Sequence, residues 1–213
     1  ELATRYVSAV PLGLGQGEGV VIAPRWVLTA AHRASLLREL RPRPRLRIDG
    51  REYDVEDVIT HPEWNGAAND LALVRIATPV AAAPTPACHA PDEDAMAVVV
   101  VGHGNGGTLG TREARGTQRR KRAYINTVEA LTPRTFELRV KPGEDASDLQ
   151  GAALREETGA PAYLEDEGSL CVAGILQAVE EPDAKAASGS VGERERFSRV
   201  SAYAGWIESI TRK

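Results

Sequence analysis

The sequence predicts an all-β protein closed by one C-terminal α-helix, and three observations carry that expectation. Short apolar, β-branched runs recur along most of the chain and are ended by glycine, proline or Asn-Asp punctuation. Val20-Val21-Ile22 and Trp26-Val27-Leu28-Thr29 flank Ala23-Pro24-Arg25, so the pair reads as a hairpin with both arms mostly buried. Helical periodicity closes the chain, where Tyr203, Trp206, Ile207 and Ile210 fall at i, i+3, i+4 and i+7. At 213 residues, 42% hydrophobic, the chain can bury a sizeable core, and β-barrels of this size form one structural unit.

Taken in order, Tyr6 to Pro11 reads as a first strand, and Gly13, Gly15, Gly17 and Gly19 loosen the connection that follows. The hairpin's second arm runs into Ala30-Ala31-His32, small residues that let the backbone pack while the imidazole projects from the strand end. Leu46 to Asp49 and Glu52 to Ile59 are strands joined at Gly50-Arg51, the second with clear alternation. His61-Pro62-Glu63-Trp64-Asn65-Gly66 is a turn-rich loop, and Asn69-Asp70 leads into the buried run Leu71 to Ile76. Ala77 to Asp94, rich in alanine and proline, is a connecting strap. Ala97 to Gly102, Tyr124 to Val128, Thr135 to Val140, Pro161 to Leu164, Leu170 to Gln177 and Phe197 to Val200 continue the strands.

A net charge of −4 with 26% charged residues is ordinary for a soluble protein, and no apolar run approaches a membrane span. The first residues do not read as a signal peptide, and the absence of a starting methionine suggests a processed or trimmed fragment, with any targeting signal trimmed along with the missing part. Cys88 and Cys171 are the two cysteines, outside any metal-ligand spacing; they are expected as free thiols, which favours a reducing or bacterial intracellular setting.

Leu28-Thr29-Ala30-Ala31-His32 resembles the segment that carries the general-base histidine of chymotrypsin-like (trypsin-family, S1) serine proteases. Asn69-Asp70-Leu71-Ala72-Leu73-Val74-Arg75-Ile76 resembles the segment bearing the aspartate that orients it. Gly102-His103-Gly104 is similar to that family's Gly-Trp-Gly, and Phe197 to Ile207 to its terminal strand and helix. The resemblance implies two antiparallel six-stranded β-barrels with a C-terminal α-helix in one peptidase domain. Barrel one then covers about 5–80, the strap about 81–95, barrel two about 96–200 and the helix about 201–211. It implies peptide-bond hydrolysis in which a hydroxyl attacks, the histidine takes its proton, and backbone N–H groups stabilise the oxyanion, with no cofactor or metal.

The family's Gly-Asp-Ser-Gly-Gly-Pro corresponds here to Glu156-Glu157-Thr158-Gly159-Ala160-Pro161, so the resemblance makes Thr158 the nucleophile beside His32 and Asp70. Threonine adds a methyl that restricts χ1 and crowds the imidazole or the substrate. Glu156 and Thr158 would supply the oxyanion N–H groups, yet glycine usually stands where Glu156 does, and the Glu156 N–H is expected to turn away. Glu157 replaces the aspartate that pairs with a freed N-terminus, a switch expected to be absent. Gln177 stands where the family offers a serine near the buried aspartate. Ala152 maps to the base of the substrate pocket, which implies a preference for apolar or small side chains. The position after His32, where secreted relatives begin a disulfide, is Arg33.

Arg38, Arg41, Arg43, Arg45 and Arg47 crowd one segment, and Arg115, Arg119, Arg120, Lys121 and Arg122 another. They read as solvated loops or as an exosite for an acidic partner; without interleaved aromatics, nucleic acid is not expected. Two functions remain open: a weak or conditional endopeptidase acting on protein or peptide substrates, or an inactive pseudoprotease that binds or regulates.

Overall fold

The computed structural model describes residues 2–13, 17–40, 44–48, 50–89, 92–104, 109, 120–145, 147–166, 168–183, 185–186 and 189–212. Barrel one is built from β1 (Ala9–Pro11), β2 (Glu18–Ala23), β3 (Trp26–Thr29), β4 (Arg45–Ile48), β5 (Arg51–Thr60) and β6 (Ala72–Ile76), with helix α1 (Ala31–Glu39) after β3. Its strands are ordered β1-β2-β3-β6-β5-β4, all antiparallel, and β4 comes back against β1. Barrel two comprises β7 (Ala97–Gly102), β8 (Arg122–Leu131), β9 (Thr135–Arg139), β10 (Pro161–Asp166), β11 (Ser169–Glu180) and β12 (Arg194–Arg199), closed in the order β10-β11-β12-β9-β8-β7. A 3₁₀ turn, Val200–Tyr203, leads into α2 (Ala204–Thr211). Two six-stranded antiparallel barrels and a short terminal helix are the expected architecture.

The strands follow from period-2 burial. On β4, Leu46 and Ile48 face the core while Arg45 reaches across to Glu52 and Asp54 of β5 at 3.0 and 2.8 Å. On β5, Tyr53 and Val55 are buried, then the alternation skips to Val58 because the ladder with β6 shifts register between Val55 and Asp57. Barrel two closes around Phe136 and Phe197, stacked at 5.0 Å; a Cβ on Gly174 would stand 2.4 Å from the Phe136 ring. A third apolar cluster joins the barrels, with Trp26, Leu28, Leu71 and Leu73 from one meeting Tyr163, Val172, Ile175 and Val200 from the other. Tyr203 and Ile207 bring α2 onto it.

Three expectations need correction. His32 does not project from a strand end; it lies in the first turn of α1, whose Ala31, Ala34 and Leu37 are buried. Alanine and leucine are strong helix formers, and Pro42 just beyond suits the stop, so tertiary burial of three small or apolar positions favours a helix there. The first strand does not begin at Tyr6: Leu2–Arg5 is a 3₁₀ turn and pairing starts at Ala9. Finally, Cys88 and Cys171 are not free thiols but a disulfide, with Cα atoms 5.0 Å apart. The strap delivers Cys88 to β11, where its N–H donates to Val172 O at 3.0 Å and the Val172 N–H returns to Pro86 O at 2.8 Å. The reason for a reducing compartment goes with the free thiols.

This bridge spans 83 positions of sequence, so the chain-entropy model gives it about 4–5 kcal/mol of stabilisation. The Cys88→Ala/Cys171→Ala double variant should therefore fold with a melting temperature lowered by about 8–20 °C. An unchanged melting temperature, or two titratable thiols in the unmodified protein, would show that the bridge does not form in solution.

Candidate functional site

The cleft between the barrels gathers three side chains that are far apart in sequence. His32 enters from α1. Asp70 comes from the loop before β6, where Asn69 takes a left-handed backbone (φ 56°) that asparagine tolerates better than most residues. Thr158 follows a 3₁₀ turn, Arg155–Glu157, and precedes Gly159 at φ 95°. The Asp70 Oδ2 lies 2.6 Å from His32 Nδ1, and its Oδ1 accepts the His32 backbone N–H at 2.8 Å. On the other side of the ring, His32 Nε2 is 3.0 Å from Thr158 Oγ. Asp70 is buried with both oxygens occupied, which fixes Nδ1 as the protonated nitrogen and leaves Nε2 free to accept the threonine proton.

The loop that carries Asp70 is clamped from several sides. Asn69 Oδ1 accepts from Arg134 of the β8–β9 turn region and from Tyr203 OH, and Asn69 Nδ2 donates to Glu63 O at 3.0 Å. Gln177 does not touch the carboxylate. Its Nε2 donates to Ser198 Oγ at 2.6 Å, and Ser198 Oγ donates to the Asp70 carbonyl at 3.3 Å, so Gln177 reaches the aspartate's backbone through a serine on β12.

Glu157 folds back beneath the turn. One carboxyl oxygen accepts the Gly104 N–H at 2.7 Å and the other the Leu154 N–H at 2.8 Å. Burial pushes its pKa up, and those two N–H groups oppose the shift. Both glycines of Gly102-His103-Gly104 leave the space that this carboxyl group fills, since a Cβ on either would stand within 2.4 Å of it. Between them His103 pairs with buried Glu18, ring Nδ1 to Oε2 at 2.7 Å and backbone N–H to Oε1 at 3.1 Å.

Arg33 is a contact that sequence reasoning missed. Its Nε–H donates to Thr158 Oγ at 2.5 Å and its Nη2 to the Arg155 carbonyl at 2.8 Å. The signal available was its place directly after His32, where the family pattern has another residue. The Arg155 carbonyl is therefore aimed at the guanidinium beside Thr158. In a trans peptide the N–H points opposite to the C=O, so the Glu156 N–H is directed to the other side.

Ala152, the expected pocket base, is half-buried, and the chain beside it meets a second residue that the sequence hid. The Ala153 N–H donates to Glu195 at 2.5 Å, and Tyr124 OH donates to its other oxygen at 2.7 Å. Glu193-Arg194-Glu195-Arg196 looks like a solvated charged run. On the barrel it alternates: both glutamates are buried, while Arg194 and Arg196 pair outward with Glu180 and Glu137. Burial raises Glu195 to about 8 and Glu193 to about 6, opposed by their hydrogen-bond donors. Of the basic clusters, Arg45 is paired on β4, Lys121 donates to Tyr6 O and Arg122 to Gly104 O; Arg41, Arg43, Arg115 and Arg119 lie outside the described residues.

A carboxyl group whose pKa is raised on folding contributes stability that is full below its unfolded value of about 4.5 and is lost as pH rises through about 8. Glu195 thus costs stability on the order of 3–5 kcal/mol between pH 5 and pH 8. Glu195→Gln should show a flatter profile and gain on the unmodified protein toward pH 8, measured by urea unfolding. Parallel profiles would mean that Glu195 ionises normally.

Comparison with curated proteins finds no match. The family model described as Trypsin matches residues 9–207, a span that runs from β1 into α2 and includes both barrels. With that match over nearly the whole chain, on two antiparallel six-stranded barrels, the chain belongs to the trypsin family.

Proposed function

We propose that this trypsin-family protein is a conditional endopeptidase that uses Thr158 as nucleophile, His32 as general base and Asp70 as the group that orients it. One observation carries the reading: a single imidazole stands 2.6 Å from a buried carboxylate and 3.0 Å from a hydroxyl. Both lie within the reach that proton transfer requires. Thr158 Oγ attacks the peptide carbonyl while its proton passes to His32 Nε2. His32 then gives that proton to the departing amine as the C–N bond breaks. A water attacks the acyl-threonine by the same route, so the ester breaks and the hydroxyl is restored.

The activity is conditional because the resting site is not ready for an oxyanion. The Arg155 carbonyl accepts from the Arg33 guanidinium beside the hydroxyl, which supports a Glu156 N–H turned away from the nucleophile. Losing one such donor costs roughly 10²–10³ in rate. The same observation favours the second reading, a pseudoprotease that binds peptides without cutting them. Burial raises Glu195, which accepts the Ala153 N–H beside Ala152, to about 8, and a carboxyl group that resists ionisation there supports a preference for apolar or small side chains.

A serine-hydrolase phosphonate probe separates the two. Thr158→Ser alone should label weakly or not at all, because the methyl is gone but the hole remains unformed. Thr158→Ser with Glu156→Gly should label clearly, and His32→Ala should abolish that signal. No labelling of the double variant would support the pseudoprotease. Strong labelling of the unmodified protein would establish a working threonine peptidase whose hole forms despite Glu156.

A further inference from the structure

Arg33 puts a cation in the cleft, and among the described residues no carboxylate stands at ion-pair distance from it. Its stem lies against Gly17, where a Cβ would meet Arg33 Cγ at 3.0 Å and Cδ at 3.1 Å, so the glycine at φ 100° makes the channel in which the chain runs. The guanidinium ends between Thr158 Oγ and the Arg155 carbonyl. Both acceptors are neutral oxygens, and they occupy one donor fork, Nε and Nη2. Burial lowers the Arg33 pKa, opposed by the nearby charges of Glu156 and Asp70. Asp70 is committed to His32, which leaves Glu156 as the acid whose charge faces the guanidinium.

We propose that the Arg33 guanidinium is the receptor for a carboxylate carried by the bound peptide, and that taking up this carboxylate releases the Thr158 hydroxyl. A carboxylate suits the fork better than the present pair. It presents two charged oxygens in one plane, and hydrogen bonds to a charged acceptor are about twice as strong as those to a neutral one. Exchange has two consequences at the site. The Thr158 oxygen regains the lone pair that Arg33 holds. The Arg155 carbonyl loses the donor that fixes its direction, so the Arg155–Glu156 peptide becomes free to turn its N–H toward the nucleophile. The substrate class is therefore an acidic peptide, and its charge is what makes the site competent. The inference deepens the peptidase reading and rests on it for the role of Thr158, while the receptor itself is tested by binding.

Three hexapeptides, measured by calorimetric titration, make the test: acetyl-Ala-Ala-Ala-Asp-Ala-Ala-amide, its Asn counterpart, and acetyl-hexaalanine with a free C-terminal carboxylate. The Asp peptide should bind at least about tenfold tighter than the Asn peptide. Tight binding of the third peptide as well would extend the receptor to a chain terminus; tight binding of the Asp peptide alone would confine it to side chains. Arg33→Gln, which keeps the stem on Gly17, and Arg33→Ala should bring Asp and Asn peptides within about twofold, and Glu156→Gln should strengthen Asp binding. Equal affinities in the unmodified protein, no binding of the Asp peptide at millimolar concentration, or discrimination that survives in both Arg33 variants would overturn the proposal. Discrimination without cleavage of any peptide would sustain the receptor and count against the peptidase reading instead.

Discussion

The geometry of the cleft depends on a seam where the barrels meet main chain to main chain. Glu18, at the start of β2, donates its N–H to the Thr158 carbonyl at 3.1 Å and accepts Thr29 Oγ on its own carbonyl at 2.6 Å. Gly159 sits so close that a Cβ there would stand 2.1 Å from the Glu18 oxygen. Only a glycine, already at a positive φ, allows that approach. Thr29 lies three residues before His32, and Gly159 follows Thr158 directly. The seam therefore ties the strand that leads into the histidine's helix to the threonine's own turn, and supports the 3.0 Å spacing of Nε2 and Oγ.

Stability and geometry are supplied by different contacts. The apolar cluster of Trp26, Leu28, Leu71, Leu73, Tyr163, Val172, Ile175 and Val200 holds the barrels together, each buried side chain contributing about 1.5–3 kcal/mol. Such contacts are non-directional and would tolerate some sliding. Direction comes from buried carboxyl groups around the seam. Glu18 holds His103, Glu157 holds Gly104 and Leu154, and Glu195 holds Ala153 and Tyr124. Glu195 and Glu157 thus hold the backbone N–H groups of Ala153 and Leu154 just before the turn that bears Thr158, while Glu18 and Glu157 hold those of His103 and Gly104. A buried acid left without such partners would be costly, so each grip is also a constraint on the loop.

Much of this was legible in the sequence, where local pattern and tertiary environment agree. The hairpin at Val20–Thr29, the strands at Ala97–Gly102 and Glu52–Ile59, and the terminal helix stand close to where periodicity put them. His32, Asp70 and Thr158 each sit in a segment with its own pattern, and their side chains lie together in the cleft. What escaped depends on contacts between distant segments. α1 was hidden because Ala30-Ala31-His32 continues a strand and only burial of Ala34 and Leu37 makes the helix. The disulfide was hidden because two cysteines alone carry no pairing information. Arg33 and Glu195 were hidden because a charged residue reads as solvated until its partners are known. Gln177 reaches the aspartate's backbone only through Ser198, which no spacing links to it.

The Cys88–Cys171 bond also changes the covalent topology of the site. It closes a ring that holds Thr158, the turn before it, and strands β7 to β10, while His32 and Asp70 lie on the arm that enters at Cys88. The last strand and both terminal helical turns leave from Cys171. A single backbone break anywhere between the two cysteines therefore opens the ring but frees no piece of the molecule. A break at any position outside the ring divides the chain in two. The hydroxyl thus travels on a cycle and the imidazole on a line, and the protein can be nicked on the hydroxyl's side while remaining one molecule.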